Sequence, residues 1–240
     1  MSQSVPADNY DRVWGRKGDC SGDGMIRPGT RLDLAARLIG EGGRLLDVGC
    51  GGGALGRLVS GRFGLIAGVE LSQVGAAAAL AGGTRVIRAD LNRAPLPVRD
   101  GCIDAVTCLD VVEHVLDPCV LLGEIARVLR PGGTAIVTSP NIQFWGHIWS
   151  IVCGRFPRTS TDPEGYDGGH LHYFTFRDLE GLAEAVGLEV IHRQGIINAP
   201  RYGRKNRLLQ TLLGERFVRE FRTFGILLIL RRPVSQGSRI

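Results

Sequence analysis

The sequence predicts an α/β fold: a seven-stranded, doubly wound sheet, mostly parallel, flanked by helices and ending in an antiparallel hairpin. Three observations predict it. Between Arg44 and Ser139, short apolar runs alternate with stretches of helical spacing, the pattern of a parallel sheet covered on both faces. A glycine-rich turn, Gly49-Cys50-Gly51-Gly52-Gly53, follows the first of these runs. The alternation breaks after Ser139, and two further β-like runs close the chain.

Taken in order, Met25 to Ile39 predicts a helix ahead of the sheet. The residues before it, with Trp14 and several glycines, have no period and either close over a ligand or hang free. Strands are expected at Arg44 to Val48, Leu65 to Val69, Thr84 to Arg88, Ile103 to Cys108 and Ala135 to Thr138. Helices are expected at Leu55 to Gly61, Gln73 to Ala81 and Cys119 to Leu129. The last carries Leu121, Leu122, Ile125, Val128 and Leu129 on one face. Pro118 suits its first turn, and Pro131-Gly132-Gly133 ends it. Ile142 to Cys153 predicts an inserted aromatic helix, followed by a polar flap from Gly154 to Gly169. Insertions of this kind often cover a binding site. Helix resumes from Phe176 to Val186. Strands follow at Leu188 to Ile197 and Phe224 to Leu230, with a basic helix, Arg201 to Arg222, between them. The expected organisation is one domain over 1–240. It comprises an N-terminal helical segment (1–43), a ligand-binding core (44–140), the inserted helix and flap (141–170) and the C-terminal part of the sheet (171–240).

Composition narrows the class. The 240 residues are 44% hydrophobic and 22% charged, which excludes wholesale disorder. No apolar run approaches the ~18 residues of a membrane span. Six cysteines form no C-x-x-C pair, which points to a reducing cytoplasm and away from a disulfide framework or a paired-cysteine zinc site. The N-terminus places acids where a signal peptide has its apolar core. The net charge of +5 is concentrated at the end: residues 200–240 hold ten Arg/Lys against two Glu. Such a patch suits nucleic acid, anionic lipid or a phosphorylated substrate, or is a solvated helix face. Leu208, Leu209, Leu212 and Leu213 interleave with its bases, as in a helix lying on a membrane surface or packing on the sheet.

The glycine turn lies where a strand passes into a helix, so backbone N–H groups face a ligand at close approach. Gly51, Gly53 and Gly56 alone also fit a dinucleotide fingerprint. The acids discriminate. Asp47, two residues before Gly49, is badly placed for a pyrophosphate and well placed for an ammonium group. Glu70 ends the second strand, where a carboxylate binds ribose hydroxyls. Asp90, after the third strand, can accept from an adenine amino group. Together they describe an adenosine with a cationic amino-acid arm and no phosphate.

That ligand is S-adenosylmethionine. Leu45-Leu46-Asp47-Val48-Gly49-Cys50-Gly51-Gly52-Gly53, Gly68-Val69-Glu70-Leu71-Ser72, Arg88-Ala89-Asp90-Leu91, Asp104 to His114 and Leu129-Arg130-Pro131-Gly132-Gly133 resemble the class I S-adenosylmethionine-dependent methyltransferases in order and spacing. The resemblance implies a Rossmann-like sheet and this cofactor, released as S-adenosylhomocysteine. It implies that Asp47, Gly49 and Gly51 border the methionine part. Glu70, with Leu71 beside it, borders the ribose. Asp90 and Leu91 border the adenine, and Leu109 and Asp110 the sulfonium end.

For the acceptor, methyl transfer needs alignment, and an oxygen acceptor also needs a base or a metal. The candidates are Glu113 and His114 after the fourth strand and His170 in Gly169-His170-Leu171-His172-Tyr173-Phe174-Thr175, where alternation would turn His170 and His172 to one side. Asp110-x-x-Glu113-His114 resembles the E-x-x-E-H segment of ubiquinone-biosynthesis O-methyltransferases and of enzymes that methylate the 2′-hydroxyl at RNA 3′ ends. The RNA resemblance implies Asp110, Glu113, His114 and His170 as ligands of a divalent metal, with Asp110 one methylene short. The metal-free reading is preferred. Trp145, Trp149, Phe156, Tyr166, Tyr173 and Phe174 either stack on an acceptor or fill a small core. The expected activity is O-methylation of a small hydroxyl compound: a quinol or phenol, a sugar or a secondary metabolite. An amine acceptor stays open, and the alternatives are a metal-assisted RNA methyltransferase, methylation of a lipid-linked acceptor and a non-enzymatic cofactor-binding adaptor. A homodimer is open.

Overall fold

In the computed structural model, which describes residues 7–16, 27–160, 166–197 and 214–234, seven strands form one sheet in the order β3-β2-β1-β4-β5-β7-β6. They are β1 (Gly42–Val48), β2 (Phe63–Glu70), β3 (Arg85–Arg88), β4 (Ile103–Leu109), β5 (Leu129–Pro140), β6 (Glu189–Ile196) and β7 (Gly225–Arg231). Strands β1 to β5 pair in parallel. Strand β7 runs antiparallel between β5 and β6. The last strand is therefore interior. Its Ile226, Leu227, Leu228 and Leu230 are buried, as a strand covered on both faces requires. Strand β6, with exposed polar residues, takes the edge.

The helices are α1 (Ala7–Arg16), α2 (Arg31–Leu38), α3 (Ala54–Leu58), α4 (Gln73–Ala81), α5 (Pro118–Val128), α6 (Trp145–Val152) and α7 (Phe176–Ala185). One face of the sheet buries α5 and α7 through Leu121, Leu122, Ile125, Phe176 and Leu179. The other buries α2 and α3 through Ala35, Ala36, Ile39 and Leu55. Helix α5 starts where expected: Pro118 follows Asp117, whose carboxylate accepts from Cys119 N and Val120 N.

Several boundaries move for local reasons. Leu129 leaves the helical region and opens β5, so Pro131-Gly132-Gly133 lies inside the strand. There β5 slips from Leu129 opposite Ile103 to Thr134 opposite Ala105, a bulge that absorbs the proline and glycines. Helix α3 ends at Leu58, before the turn at Gly61 (φ 84°). Helix α2 starts only at Arg31, after Gly29 at φ 82°. Helix α1, beyond the expected elements, forms over residues 7–16 and packs on α4; Tyr10, Val13 and Trp14 recur at helical spacing along it. Between Arg201 and Arg222, residues 214–221 are helical. Leu208, Leu209, Leu212 and Leu213 lie outside the described residues.

The sheet order reverses at β1 and β4. In open α/β sheets ligands bind outside the carboxyl ends of the strands at such a switch point. The glycine turn, Asp110, Glu113 and His114 all emerge at that edge.

Candidate active site

A cavity of about 1260 Å³ opens at this edge. Asp47, Gly49, Gly51, Glu70, Leu71, Asp90, Leu91, Leu109 and Asp110 all line it. Three acids stand at its floor, one after another at the ends of β1, β2 and β3. Asp47 is buried and accepts from Thr107 Oγ1 at 2.7 Å. Burial first, then the charge of Glu70, pushes its carboxyl up to about 7. Glu70 is buried too. Its Oε2 accepts from Gly51 N at 2.8 Å and its Oε1 from Ser72 N at 2.7 Å. Burial raises its carboxyl, and those N–H groups hold it down. Asp90 accepts from Asn92 N at 2.9 Å and pairs with Arg93 at 3.1 Å.

The glycines are needed where they stand. Gly51 has φ 52°, and a Cβ there would meet the Trp14 ring at 2.2 Å. Trp14 belongs to α1, which closes one wall of the cavity. Asp11 of the same helix accepts from Ser72 Oγ at 2.6 Å and Val74 N at 3.2 Å, at the start of α4. Tyr10 lines the cavity, edge-on to the His114 ring with centroids 6.3 Å apart. Burial and the acids Glu70, Asp90 and Glu113 push its hydroxyl up to about 12. Tyr10 and Trp14 therefore line the cavity, at the i, i+4 spacing of one helix face, and Asp11 ties that helix to α4. Closure over the cavity is the alternative that α1 adopts.

The other wall carries His114 and His170, and Glu113 lies behind it, outside the cavity lining. Glu113 is fully buried, and neither carboxylate oxygen has a hydrogen-bond partner among the described residues. Burial and the charge of Asp110 push its carboxyl well above the usual range. His114 and His170 line the cavity with ring centroids 4.7 Å apart. His114 Nδ1 lies 3.2 Å from Gly169 O. A carbonyl only accepts, so Nδ1 carries the hydrogen and Nε2 keeps its lone pair. Burial, then His170, pushes His114 down to about 4. His170 Nε2 is 4.0 Å from Glu113 Oε1. Glu113, His114 and His170 each offer an atom within 4.8 Å of the others.

Asp110 does not join them. At φ 53°, its Oδ1 accepts from Thr138 Oγ1 at 2.7 Å and its Oδ2 meets Arg31 Nη1 at 3.0 Å. The expected four-residue metal set is thus reduced to three, because the shorter side chain is taken up by Arg31 and Thr138. His172 also leaves the expected face. Leu171 N and His172 N both donate to Glu113 O, so this segment is a strap and not an alternating strand. The His172 ring lies over Phe174, with Nε2 3.0 Å from Val115 O. Of the six aromatics weighed for stacking, none lines the cavity. Phe174 is buried in the core, whereas Trp145 (48%) and Trp149 (62%) of α6 face outward. The flap contributes Thr159, Ser160 and Gly168 instead.

The donor set fits the expected cofactor: a buried carboxylate for an ammonium, a second for a diol, a third for an amino group, and backbone N–H groups at the glycine turn. The comparisons agree. The family model of the methionine biosynthesis protein MetW matches residues 30–220. A ubiquinone biosynthesis O-methyltransferase of Alkalilimnicola ehrlichii is 35% identical over 152 residues, 60% of this chain and 61% of that protein. One from Aeromonas salmonicida is 29% identical over 199 residues, 79% and 81% of the two chains. In fold, an S-adenosylmethionine-dependent methyltransferase from Thermotoga maritima is similar with a TM-score of 0.67 at 18% identity, over 95% of this chain and all of that one. The chain belongs to the family of the methionine biosynthesis protein MetW and is a class I S-adenosylmethionine-dependent methyltransferase.

Proposed function

We propose that the chain O-methylates a small hydroxyl-bearing metabolite of the quinol, phenol or sugar class. The observation that carries this reading is the corner formed by Glu113, His114 and His170. Two imidazoles line the cavity wall with the buried Glu113 carboxyl behind them, and His114 Nε2 keeps its lone pair. Such a corner takes a proton from a hydroxyl, which is what an oxygen nucleophile must lose. The names of the two O-methyltransferase relatives support the same chemistry.

The cofactor, when bound, supplies an electrophilic methyl on a sulfonium sulfur. The protein's part is alignment and proton removal. Asp47 and the glycine turn would hold the amino-acid arm, Glu70 the ribose, and Asp90 with Leu91 the adenine. Leu109 and Asp110 would border the reacting end. His114 and His170 face the acceptor's side, and α1 and the flap keep water out.

The metal-assisted reading retains Glu113, His114 and His170 as three donors but has lost Asp110 to Arg31. An RNA acceptor draws on the basic C-terminal segment. There Arg216 pairs with Glu220 at 2.8 Å, and Arg219 lies over the Phe176 ring. Both bases are thus engaged within the chain. Among the described residues no helix is long and apolar enough to cross a membrane.

The test is methyl-labelled S-adenosylmethionine offered with panels of hydroquinones, phenols, sugars, amines and short RNA. Label in an ether of a hydroquinone, phenol or sugar supports the reading. Label confined to amines or to RNA ends it.

A further inference from the structure

His170 is held by a buried chain of side chains that none of the methyltransferase motifs includes. Asp167 is completely buried, yet it adopts φ 55° and ψ 43°, a left-handed conformation that is costly for a residue with a Cβ. Such strain persists only where the surroundings impose it, and it concentrates at functional sites. The surroundings here are three donors. Thr159 N at 2.7 Å, Ser160 N at 2.8 Å and Thr159 Oγ1 at 2.6 Å all donate to the Asp167 carboxylate. These bonds tie Thr159 and Ser160 to Asp167 within the flap.

The chain continues to the imidazole. Thr159 Oγ1 is also 2.7 Å from His170 Nδ1, and Asp167 Oδ2 is 3.5 Å from the same nitrogen. Hydrogen counting fixes the direction. An ionised carboxylate only accepts, so the single hydroxyl hydrogen of Thr159 is committed to Asp167. The Thr159 oxygen can then only accept from His170, so Nδ1 carries the hydrogen. Nε2 is left with its lone pair, on the side of the ring that faces Glu113 Oε1 at 4.0 Å.

We infer that Asp167 and Thr159 are positioning residues that lock His170 in the Nδ1–H tautomer, so that Nε2 receives the acceptor's proton. The inference rests on the O-methylation reading for its chemistry, though not for its geometry. In the reaction the acceptor oxygen forms its bond to the methyl carbon. The carbon–sulfur electron pair leaves with the thioether, and the hydroxyl proton passes to His170 Nε2. The imidazolium so formed has the Asp167 carboxylate behind it, which favours the charged ring against the cost of burial. The flap is then a frame for the base, and its aromatic residues are free to face elsewhere.

The test reads the tautomer directly. Full-length protein carrying ¹⁵N-labelled histidine is examined by long-range ¹H–¹⁵N correlation, with the five histidines assigned by single His→Gln variants. The expected wild-type result is His170 wholly Nδ1–H. Thr159→Ser, which keeps the hydroxyl, preserves it. Thr159→Val and Asp167→Asn convert it into a mixture with the Nε2–H form, while thermal unfolding stays cooperative. A wild-type His170 with Nε2 protonated, or a Thr159→Val protein with its tautomer unchanged, overturns the inference. Should Asp167→Asn fail to fold, the Thr159 pair decides alone. Label transfer to amines would end the O-methylation reading and leave the tautomer result standing.

Discussion

Asp11 Oδ1 accepts a hydrogen bond from Ser72 Oγ at 2.6 Å, across 61 residues of sequence. Ser72 in turn donates its N–H to Glu70, whose other oxygen holds Gly51 N. Helix α1 is thereby joined to the acid at the end of β2. A charge-assisted bond of this kind contributes about 1 kcal/mol or more at a partly exposed site. Asp11→Ala is expected to weaken S-adenosylhomocysteine binding by about three- to tenfold in calorimetric titration. An unaltered dissociation constant would separate α1 from the binding unit.

Asp47 links stability and affinity to pH in opposite senses. Its carboxyl is raised from 3.8 to about 7 in the folded protein. The folded state therefore holds a proton that the unfolded state has lost between those values, so stability falls as pH rises from about 4 to 7. Glu70 and Glu113 are raised as well and act in the same direction. A ligand ammonium needs the ionised carboxylate, so affinity should climb as pH passes through about 7. Asp47→Asn should flatten part of the fall in melting temperature and abolish the climb in affinity. A variant with the wild-type pH profile in both measurements would remove Asp47 from the ammonium site.

The two imidazoles differ in what holds them. His170→Gln is expected to lower kcat by about 10²–10⁴-fold, the usual worth of a positioned base. His114→Gln should lower it less, and both should leave cofactor affinity nearly unchanged. Single-turnover methyl transfer at saturating cofactor checks this. Wild-type rates in both variants would exclude the imidazoles from proton removal.

Arg31 keeps Asp110 out of the Glu113, His114 and His170 group. Turnover is accordingly expected to persist in EDTA. Loss of turnover, restored by Mn²⁺ or Mg²⁺ and absent in Glu113→Gln, would move the reaction to the metal-assisted class.

What the sequence made legible follows a physical division. Asp47, Glu70 and Asp90 stand at the ends of apolar runs, so local pattern places them at one sheet edge. The seven strands and the hairpin are legible for the same reason. Residues whose roles depend on distant contacts are not. Tyr10, Val13 and Trp14 do share one helix face by spacing, but only the surface of α4 and the glycine turn turns that face onto the cavity. Asp167 and Thr159 meet because a strained turn folds the flap back, which no spacing rule announces. Asp110 occupies a motif position, but Arg31, 79 residues away at the start of α2, pairs with it. The strap from Leu171 to Glu113 breaks the alternation that would have paired His172 with His170.

The most direct test is calorimetric titration with S-adenosylhomocysteine in EDTA, on the wild type and on Asp47→Ala and Glu70→Ala. Binding of one ligand per chain without added metal, weakened at least tenfold by either substitution while thermal unfolding remains cooperative, is the expected result. No binding by the wild type, or wild-type affinity in both variants, would contradict the placement of the cofactor over the ends of β1 and β2.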